Sequence, residues 1–263
     1  MPLLGEGALA MWWDMAASAR PEFEDWHSHE HFAERLALPG FLRATRWTDA
    51  DGGEGIFQLY EIERHDVVAS ASYLKSLNTP TPWSTAMMPH HRHMVRSQCH
   101  RLESHGSALA RHAAVFRLSP AAGRDAALRA ALKTLIDTLP GRPGITGAHL
   151  LRHEAPAIAM TTEQKIRGGD RTADWVLIVC GYDAATLRAL AQAEGALGPA
   201  ALLAAGASIS EFTGLYVLSL SALPGDLPPR PDAGEPAMKA IADFETALPL
   251  VERREGSKII LRP

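Results

Sequence analysis

The sequence contains few cysteines and no long apolar run. Its 263 residues include two cysteines, Cys99 and Cys180, and each stands in an apolar stretch. A scaffold held together by disulfides is therefore excluded, and both thiols are expected to be reduced and buried. No apolar run approaches the roughly 20 residues that a membrane-spanning helix needs. Residues 1–6 contain no basic segment and end on an acid, so they do not resemble a secretory signal. We therefore expect a cytoplasmic protein.

Charge of one sign is not in excess either. The chain has 30 acidic and 26 basic residues and a net charge of −4, without a basic stripe. Proteins that bind nucleic acid or anionic membranes carry such stripes, so neither partner is expected. The apolar content of 46% and the charged content of 21% are typical of soluble globular proteins. We expect a small-molecule substrate as the partner and leave a homodimer open.

The order of predicted elements is the same in both halves of the chain. Each half has the order β-α-β-β-α-β, and each has a Pro-Gly turn after its long first helix, at 39–40 and 143–144. This repetition predicts two tandem ferredoxin-like units, residues 1–107 and 108–222, followed by a C-terminal extension at 223–263. The predicted elements are strands 7–15, 41–47, 56–62 and 93–102 with helices 21–37 and 66–77, then strands 113–118, 145–153, 175–180 and 212–220 with helices 123–139 and 183–196.

An acidic residue interrupts the apolar face of the first predicted helix. On a helical wheel, Glu30 stands in the middle of that face, with His27 beside it and His31 one turn after His27. A carboxylate that points at the core costs several kcal/mol unless it is paired, hydrogen-bonded or protonated. Either Glu30 has buried partners, or a cavity lies beside it. The apolar face consists of Phe23, Trp26, Ala33 and Ala37.

The same helix carries a resemblance to a known family. The segments FEDWHSHEHFAERL at 23–36, PGFLR at 39–43, LYE at 59–61 and NTPTPW at 78–83 resemble the EthD-like branch of the dimeric α/β-barrel superfamily, in its tandem form. The best matches in the second half are Glu163, RGGD at 167–170 and Asp174-Trp175. The resemblance implies an α+β fold in which two tandem ferredoxin-like βαββαβ units form a pseudo-dimeric α/β barrel. It also implies that the inward face of the first helix lines a pocket between helices and sheet.

Glu30, His27 and His31 are the candidate catalytic residues. A carboxylate in an apolar cleft has a raised pKa, and a neighbouring imidazole can share or relay its proton. Such a group suits enolisation, dehydration or cyclisation of a phenolic or β-keto substrate. The alternative is that Glu30 pairs with a buried arginine, such as Arg43, Arg46 or Arg96, and only fixes the helix on the sheet.

Five further residues are candidates for binding the substrate. Arg43 and Arg96 alternate with apolar residues on predicted strands, so an arginine can enter the pocket and bind a carboxylate or phenolate. A salt bridge with Glu61 or Glu30 is the rival interpretation. Tyr60 could donate a hydrogen bond to a developing oxyanion, or it could be a buried tyrosine with a satisfied hydroxyl. The aromatic candidates for the lining are Trp26 and Trp83.

Cofactor chemistry is the alternative to acid/base catalysis. His27 and His31 have the i, i+4 spacing that can chelate a metal ion, although His29 points away from them. One of them could also be an axial haem ligand, but no short motif indicates haem. We expect no metal and no cofactor, and a lyase- or isomerase-like enzyme that acts on an aromatic or polyketide-like carbonyl compound. The alternatives are a haem- or metal-dependent oxidoreductase and a non-catalytic small-molecule-binding stress protein.

The second predicted unit has no comparable group. Its first helix, at 123–139, is rich in alanine and leucine and carries no inward acid or imidazole. We therefore expect this unit to be scaffold. Lys165 and Arg167 are expected to be loop charges, with closure over the pocket as the alternative.

Overall fold

Eight strands form one closed antiparallel barrel. The computed structural model describes residues 2–227. Around the barrel the strands follow the order β1-β3-β2-β8-β5-β7-β6-β4, so the four strands of each half of the chain are neighbours. An α+β barrel is therefore confirmed. The strands are β1 (Gly7–Asp14), β2 (Phe41–Asp49), β3 (Gly55–Ile62), β4 (Arg92–Gly106), β5 (His112–Pro120), β6 (Ile145–His153), β7 (Trp175–Gly181) and β8 (Ala207–Ala222).

Between residues 2 and 227, eight α-helices connect the strands. All eight predicted strands are present, whereas several predicted helices differ from the structure. The predicted helix 183–196 ends at Ala191, and the Asp183 side chain caps its start by accepting a hydrogen bond from the Thr186 amide. Helices α4, α6 and α8 were not predicted. The helices are α1 (Arg20–Trp26), α2 (Phe32–Leu36), α3 (Ala71–Asn78), α4 (Pro82–Met87), α5 (Asp125–Thr138), α6 (Thr162–Arg167), α7 (Ala184–Ala191) and α8 (Pro199–Ala205).

Alternating residues of each strand divide the core into three parts. In β1, Leu9 and Met11 pack under the helices of the first half, whereas Ala8 and Ala10 fill the barrel interior. This division follows from the pleat, which sends successive side chains to opposite faces of a strand. A separate cluster under the second-half helices includes Leu132 of α5. The molecule therefore has one barrel interior and two helix layers, one for each half of the chain.

The predicted helix 21–37 is not one continuous α-helix. Its middle, His27–His31, forms a π-helical turn between α1 and α2, and the Phe32 amide bonds to the carbonyl of His27. The wider turn shifts every later residue around the axis relative to a regular α-helix. Phe32 and Leu36 are therefore buried, and the prediction that Ala33 and Ala37 continue the apolar face is wrong.

The remaining predictions concern membrane spans, unit boundaries, location and the C-terminal extension. None of the helices between residues 2 and 227 has both the length and the apolar character to cross a bilayer. The boundaries 1–107 and 108–222 stay predictions, as does the cytoplasmic location. The predicted extension 223–263 lies almost entirely outside the described residues.

Candidate functional site

A small internal cavity lies between the sheet and the helices of the first half. About 30 Å³ of it is open to water-sized molecules. A volume of this size holds water and no larger molecule. Side chains from β1, β3, β4, α3 and α6 enclose it, together with residues of the π turn and of the turn before β4. The polar side chains that line it are His27, His31, Gln58, Tyr60, Tyr73, His91, Arg96, Glu163 and Arg167.

The sheet under this cavity carries a row of polar residues. The register of the strands places Gln58 beside Met11 and Arg46, and Met11 beside Arg96 on its other side. Each of these three polar residues is at most 5% exposed. Buried polar groups at the centre of a sheet need hydrogen-bond partners, which favours a site over simple packing.

The three imidazoles of the cavity are uncharged at neutral pH. Burial, followed by the nearby Arg46 guanidinium, holds the pKa of His27 well below its usual range. Burial and then Arg35 do the same for the pKa of His31. Burial, assisted by Arg167, lowers the pKa of His91 to about 3. Each ring therefore presents one lone pair rather than a positive charge.

Hydrogen bonds define the tautomers of two of these rings. His91 Nδ1 lies 3.1 Å from the carbonyl oxygen of Met87. A carbonyl can only accept, so Nδ1 carries the proton and Nε2 is left as a bare acceptor. His27 Nδ1 lies 3.4 Å from Arg46 Nη1, which can only donate, so His27 carries its proton on Nε2.

Two polar groups of β3 face this region without a partner. Within residues 2–227, neither the Tyr60 hydroxyl nor the Gln58 amide nitrogen meets a hydrogen-bond partner at normal geometry. Burial raises the pKa of Tyr60, so its hydroxyl stays protonated and able to donate. Such buried groups are uncommon, and a ligand or an ordered water can satisfy them.

The second half of the chain closes this cavity. Glu163 of α6 accepts a hydrogen bond of 2.5 Å from Arg35 Nη2 and lies 3.6 Å from Arg167 Nη1. Arg167 also donates to Asp170 over 2.9 Å. Glu163 and Arg167 both line the cavity, so the second half contributes side chains to a candidate site that was expected from the first half alone. Of the two roles weighed for Arg167, closure over the pocket is the one observed.

Four of the predicted site residues meet at this cavity. His27 and His31 lie on its helix side, and Tyr60 and Arg96 lie on its sheet side. Arg96 is 4% exposed and donates a hydrogen bond of 2.9 Å to the Tyr73 hydroxyl. Neither of the two predicted salt bridges, with Glu61 or with Glu30, is made by Arg96.

The prediction that Glu30 points into the cavity is wrong. Because of the π turn, Glu30 faces α4, where it is half-buried. It accepts hydrogen bonds from Trp26 Nε1 at 3.2 Å, from the Thr81 hydroxyl and from Ser84 Oγ at 3.4 Å. Glu30 therefore has polar partners, as the structural alternative required, but they are hydroxyls and an indole rather than an arginine.

Trp26, Trp83 and Arg43 do not line the cavity. The Trp26 ring lies behind the imidazoles, with its centre 4.5 Å from that of His31. Trp83 donates to Glu22 over 2.7 Å between the helices. Arg43 faces the barrel interior and pairs with Glu61 at 2.6 Å, which is the rival interpretation of this residue. Trp26 therefore supports the imidazoles from outside the cavity, whereas Trp83 and Arg43 lie apart from it.

Sequence reasoning missed Gln58, Tyr73 and His91. Gln58 has the same parity as Tyr60 on β3, so strand alternation could have identified it. His91 lies in the turn before β4, where it is buried and packs against Trp13 with ring centres 4.9 Å apart. No local signal places Tyr73 beside Arg96, because that contact joins α3 to β4.

The residues of the cavity do not fit the metal or haem alternatives. Across the described ranges, no group of three His, Cys, Asp or Glu side chains could hold a metal ion. His27 Nδ1 faces a guanidinium rather than open space. A space of about 30 Å³ also has no room for a porphyrin. That the chain works without a cofactor stays a prediction.

Comparison with known proteins identifies the class of fold. No protein-family model matches the sequence, and no curated protein matches it significantly. The structure nevertheless resembles several solved proteins in its fold. The barrel fold is thus supported, whereas membership of the dimeric α/β-barrel superfamily and of its EthD-like branch stays a prediction.

Two of these solved structures cover most of the chain. An anthrone oxidase-like protein matches with a TM-score of 0.58 and 10% identity, over 85% of this chain and 95% of its own. A provisional monooxygenase of Fusobacterium nucleatum matches with a TM-score of 0.51 and 10% identity, over 86% of this chain and 99% of its own. At this identity the likeness establishes the fold alone.

Proposed function

We propose that the chain is a cofactor-independent enzyme that acts on an aromatic or polyketide-like carbonyl compound by acid/base catalysis. One observation carries the proposal: three uncharged imidazoles, the Tyr60 hydroxyl and the Arg96 guanidinium line one cavity. Burial keeps the imidazoles neutral, so proton acceptors are available at neutral pH. Glu30 is not needed as the base, since it supports Trp26 behind the imidazoles.

His91 is the proposed general base. Its Nδ1 proton is fixed on a backbone carbonyl, so its Nε2 lone pair is free to take a proton from an activated CH or OH group. Its pKa of about 3 applies to the cavity without a substrate. A negative charge that develops on a substrate raises the pKa of an adjacent imidazole. The base therefore becomes strong when the substrate ionises.

Arg96 and Tyr60 are the proposed partners of the resulting anion. In the described part of the chain, the side chain of Arg96 makes one hydrogen bond, to the Tyr73 hydroxyl, and no salt bridge. A buried guanidinium with unfilled donors is suited to an enolate or phenolate oxygen. The unpartnered Tyr60 hydroxyl can donate to the same oxygen.

The substrate is proposed to enter under residues 154–174. The cavity has room only for water in the present arrangement, but Arg96 also lines an outer groove of about 330 Å³ beside this segment. The groove is continuous with α6 through Gln164. A shift of α6 would join the groove to the cavity and make room for an aromatic ring.

The anion can react in two ways, and only the second of them consumes oxygen. Loss of a leaving group or return of the proton at another carbon makes the enzyme a lyase or an isomerase, which is the first proposal. Attack of the carbanion on dioxygen is the second, and the similarity to an anthrone oxidase-like protein favours it. Conversion of an activated CH₂ group to a carbonyl then consumes one O₂ and releases one water.

The resemblance of residues 23–83 and the element order support two further proposals. We propose that the chain belongs near the EthD-like branch of the superfamily. We also propose that its halves are tandem ferredoxin-like units, because the strands of each half follow the same neighbour order, β4-β1-β3-β2 and β8-β5-β7-β6.

A ligand screen followed by kinetics tests the function. Hydroxylated aromatic carbonyl compounds are screened by thermal shift, because a ligand stabilises the native state by mass action. For any substrate found, His91→Gln should lower kcat by about 10²- to 10⁴-fold, whereas the exposed His29→Gln should not. Full turnover by the His91→Gln variant would refute the assignment of the base. An oxygen electrode separates the two fates of the anion.

A further inference from the structure

An apolar loop forms one wall of the outer groove beside α6. The loop comprises residues 155–160, between β6 and α6, which read APAIAM and carry no charged or hydrogen-bonding side chain. Connecting segments are more often rich in Ser, Thr, Asn, Asp and Gly, so this composition needs an explanation. The loop residues that line the groove are Ala155, Pro156, Ile158 and Met160.

The apolar loop does not contribute to the core of the protein. In the described part of the chain, none of its residues packs into the barrel interior or into the cores under the two helix layers. Ile166 of α6, in the same connection, does pack against the core of the first half. Met160 is instead 59% exposed. Apolar residues that are grouped at a groove with a polar rim are typical of a binding surface.

The acid and the imidazole of the groove already have partners. Asp170 accepts hydrogen bonds of 3.1 and 2.9 Å from Arg167, so the two charges neutralise each other. His153 Nδ1 lies 2.9 Å from the carbonyl oxygen of Gln98. A ligand in this groove therefore gains mainly by covering the apolar loop and removing its side chains from water.

Arg96 connects the groove with the cavity under the first-half helices, because its side chain lines both. The cavity has about 30 Å³ of open space, whereas the groove has about 330 Å³, which is within the range of small-molecule sites. A substrate whose anionic oxygen binds at Arg96 must therefore extend into the groove. The part of the substrate outside the cavity would then contact the apolar loop.

We propose that the apolar loop binds an uncharged, apolar extension of the substrate. The substrate is then an elongated molecule, with its acidic oxygen at Arg96 and the remainder over Ile158 and Met160. This proposal rests on the proposed function, because it takes Arg96 as the partner of the substrate anion. An uncharged extension is favoured over a charged one, since the loop has no group that could pair with a charge.

Two hydroxyaryl ketones that differ only in length test the proposal. The full chain is titrated by calorimetry with 1-(2-hydroxyphenyl)ethanone and with 1-(2-hydroxyphenyl)hexan-1-one, which has a longer alkyl chain. Complete burial of one methylene raises an affinity by about three- to fourfold. Because the groove is open on one side, we expect the longer ketone to bind about tenfold or more tightly than the shorter one.

A pair of exposed apolar residues gives the variant and its control. Met160→Ser should reduce the ratio of the two affinities by about threefold or more, because the loop then offers less apolar surface. Leu203→Ser, at a leucine of α8 that is 66% exposed, should leave the ratio unchanged. Substitutions at exposed positions rarely affect stability, so both variants should fold.

Three results would contradict the proposal. Equal affinities for the two ketones, or no binding of either, would show that the groove holds no apolar extension. An unchanged ratio in Met160→Ser would place the alkyl chain elsewhere on the protein. Dimerisation that Met160→Ser abolishes, in a chain that binds neither ketone, would assign the apolar loop to a contact with a second copy.

The same measurement separates this proposal from the proposed reaction. The ratio of affinities is obtained without turnover, so it should be the same in His91→Gln as in the wild type. The expected ratio in a protein that turns over no compound of the ligand screen would support the binding role of the apolar loop and would refute the reaction.

Discussion

The sheet has the same order of strands under the two helix layers, but the side chains that face the helices differ in polarity. Under the first-half helices, the central row of the sheet is Arg46, Gln58, Met11 and Arg96. Under the second-half helices, the corresponding neighbours across β6, β7 and β5 are Leu150, Leu177 and Phe116, each at most 1% exposed.

Because of this difference, the two layers have different roles. The second layer is a close-packed apolar core that contributes stability. The first layer contains buried polar groups, some without partners, and these reduce stability unless a ligand satisfies them. A protein with both layers can therefore carry a destabilising site on one side, because the other side compensates for it.

The largest expected effect concerns the contact between the halves. Glu163→Gln removes the carboxylate that Arg35 and Arg167 share and leaves each arginine with one acid, Glu34 and Asp170 respectively. The expected cost is therefore at the lower end for a broken buried ion pair, about 3 kcal/mol. We expect α6 to detach, so hydrogen exchange of its amides should increase about 100-fold or more. Exchange should be unchanged in Glu211→Gln, where the acid is exposed. Equal exchange in both variants would show that α6 does not depend on Glu163.

Replacing one buried leucine by alanine in each layer compares how closely the two layers are packed. Leu132→Ala in the filled layer should lower the free energy of unfolding by about 2–5 kcal/mol, because it creates a void. Leu77→Ala beside the cavity should cost less, since water can enter the enlarged space. Urea unfolding of both variants measures the difference. A greater loss for Leu77→Ala would contradict the division between the layers.

Acid should weaken the first layer through its histidines. The pKa of His91 is about 3 in the folded state and about 6.5 when unfolded, so the unfolded chain binds a proton first as the pH falls. Its contribution to stability is complete above pH 6.5 and is lost toward pH 3, by about 1.4 kcal/mol per pH unit. His91→Gln should reduce this slope between pH 6 and pH 4. An unaltered slope would mean that His91 is not buried as a neutral ring.

The smallest expected effect compares two tyrosines. Tyr60→Phe removes a buried hydroxyl without a partner, so stability should stay unchanged or rise by up to about 1 kcal/mol. Tyr216→Phe removes a hydroxyl that donates to the Thr213 carbonyl at 3.2 Å, and should cost about 1 kcal/mol. Thermal unfolding of both variants gives the signs. A loss in Tyr60→Phe as large as in Tyr216→Phe would indicate a partner for the Tyr60 hydroxyl.

The strands were predictable because their signals are local. The apolar run at 145–153 was predicted with the bounds that the structure has. His27 and His31 were predicted to share one face because i, i+4 neighbours meet on a helix, and in the wider π turn their rings still stack at 5.5 Å.

The rest of the site depends on contacts between distant parts of the chain. Glu163 reaches Arg35 across the two halves, and no helical or strand period can indicate such a pairing. Glu30 was misplaced because a helical wheel assumes a constant rotation for each residue. Four residues of the site, His27, His31, Tyr60 and Arg96, were thus predicted from the sequence, whereas those that depend on contacts between distant segments were not.

The π turn has a consequence for how this chain can vary in length. A π turn is equivalent to an α-helix with one additional residue. Deletion of Ser28 or His29 would allow the segment to close as a regular α-helix, with Phe32 and the residues after it on their present faces. Arg35 would then stay on Glu163, whereas a deletion in α2 before Arg35 would rotate it by about 100° and separate the pair. The π turn is therefore the place where the first helix can lose one residue without disconnecting the two halves at the site.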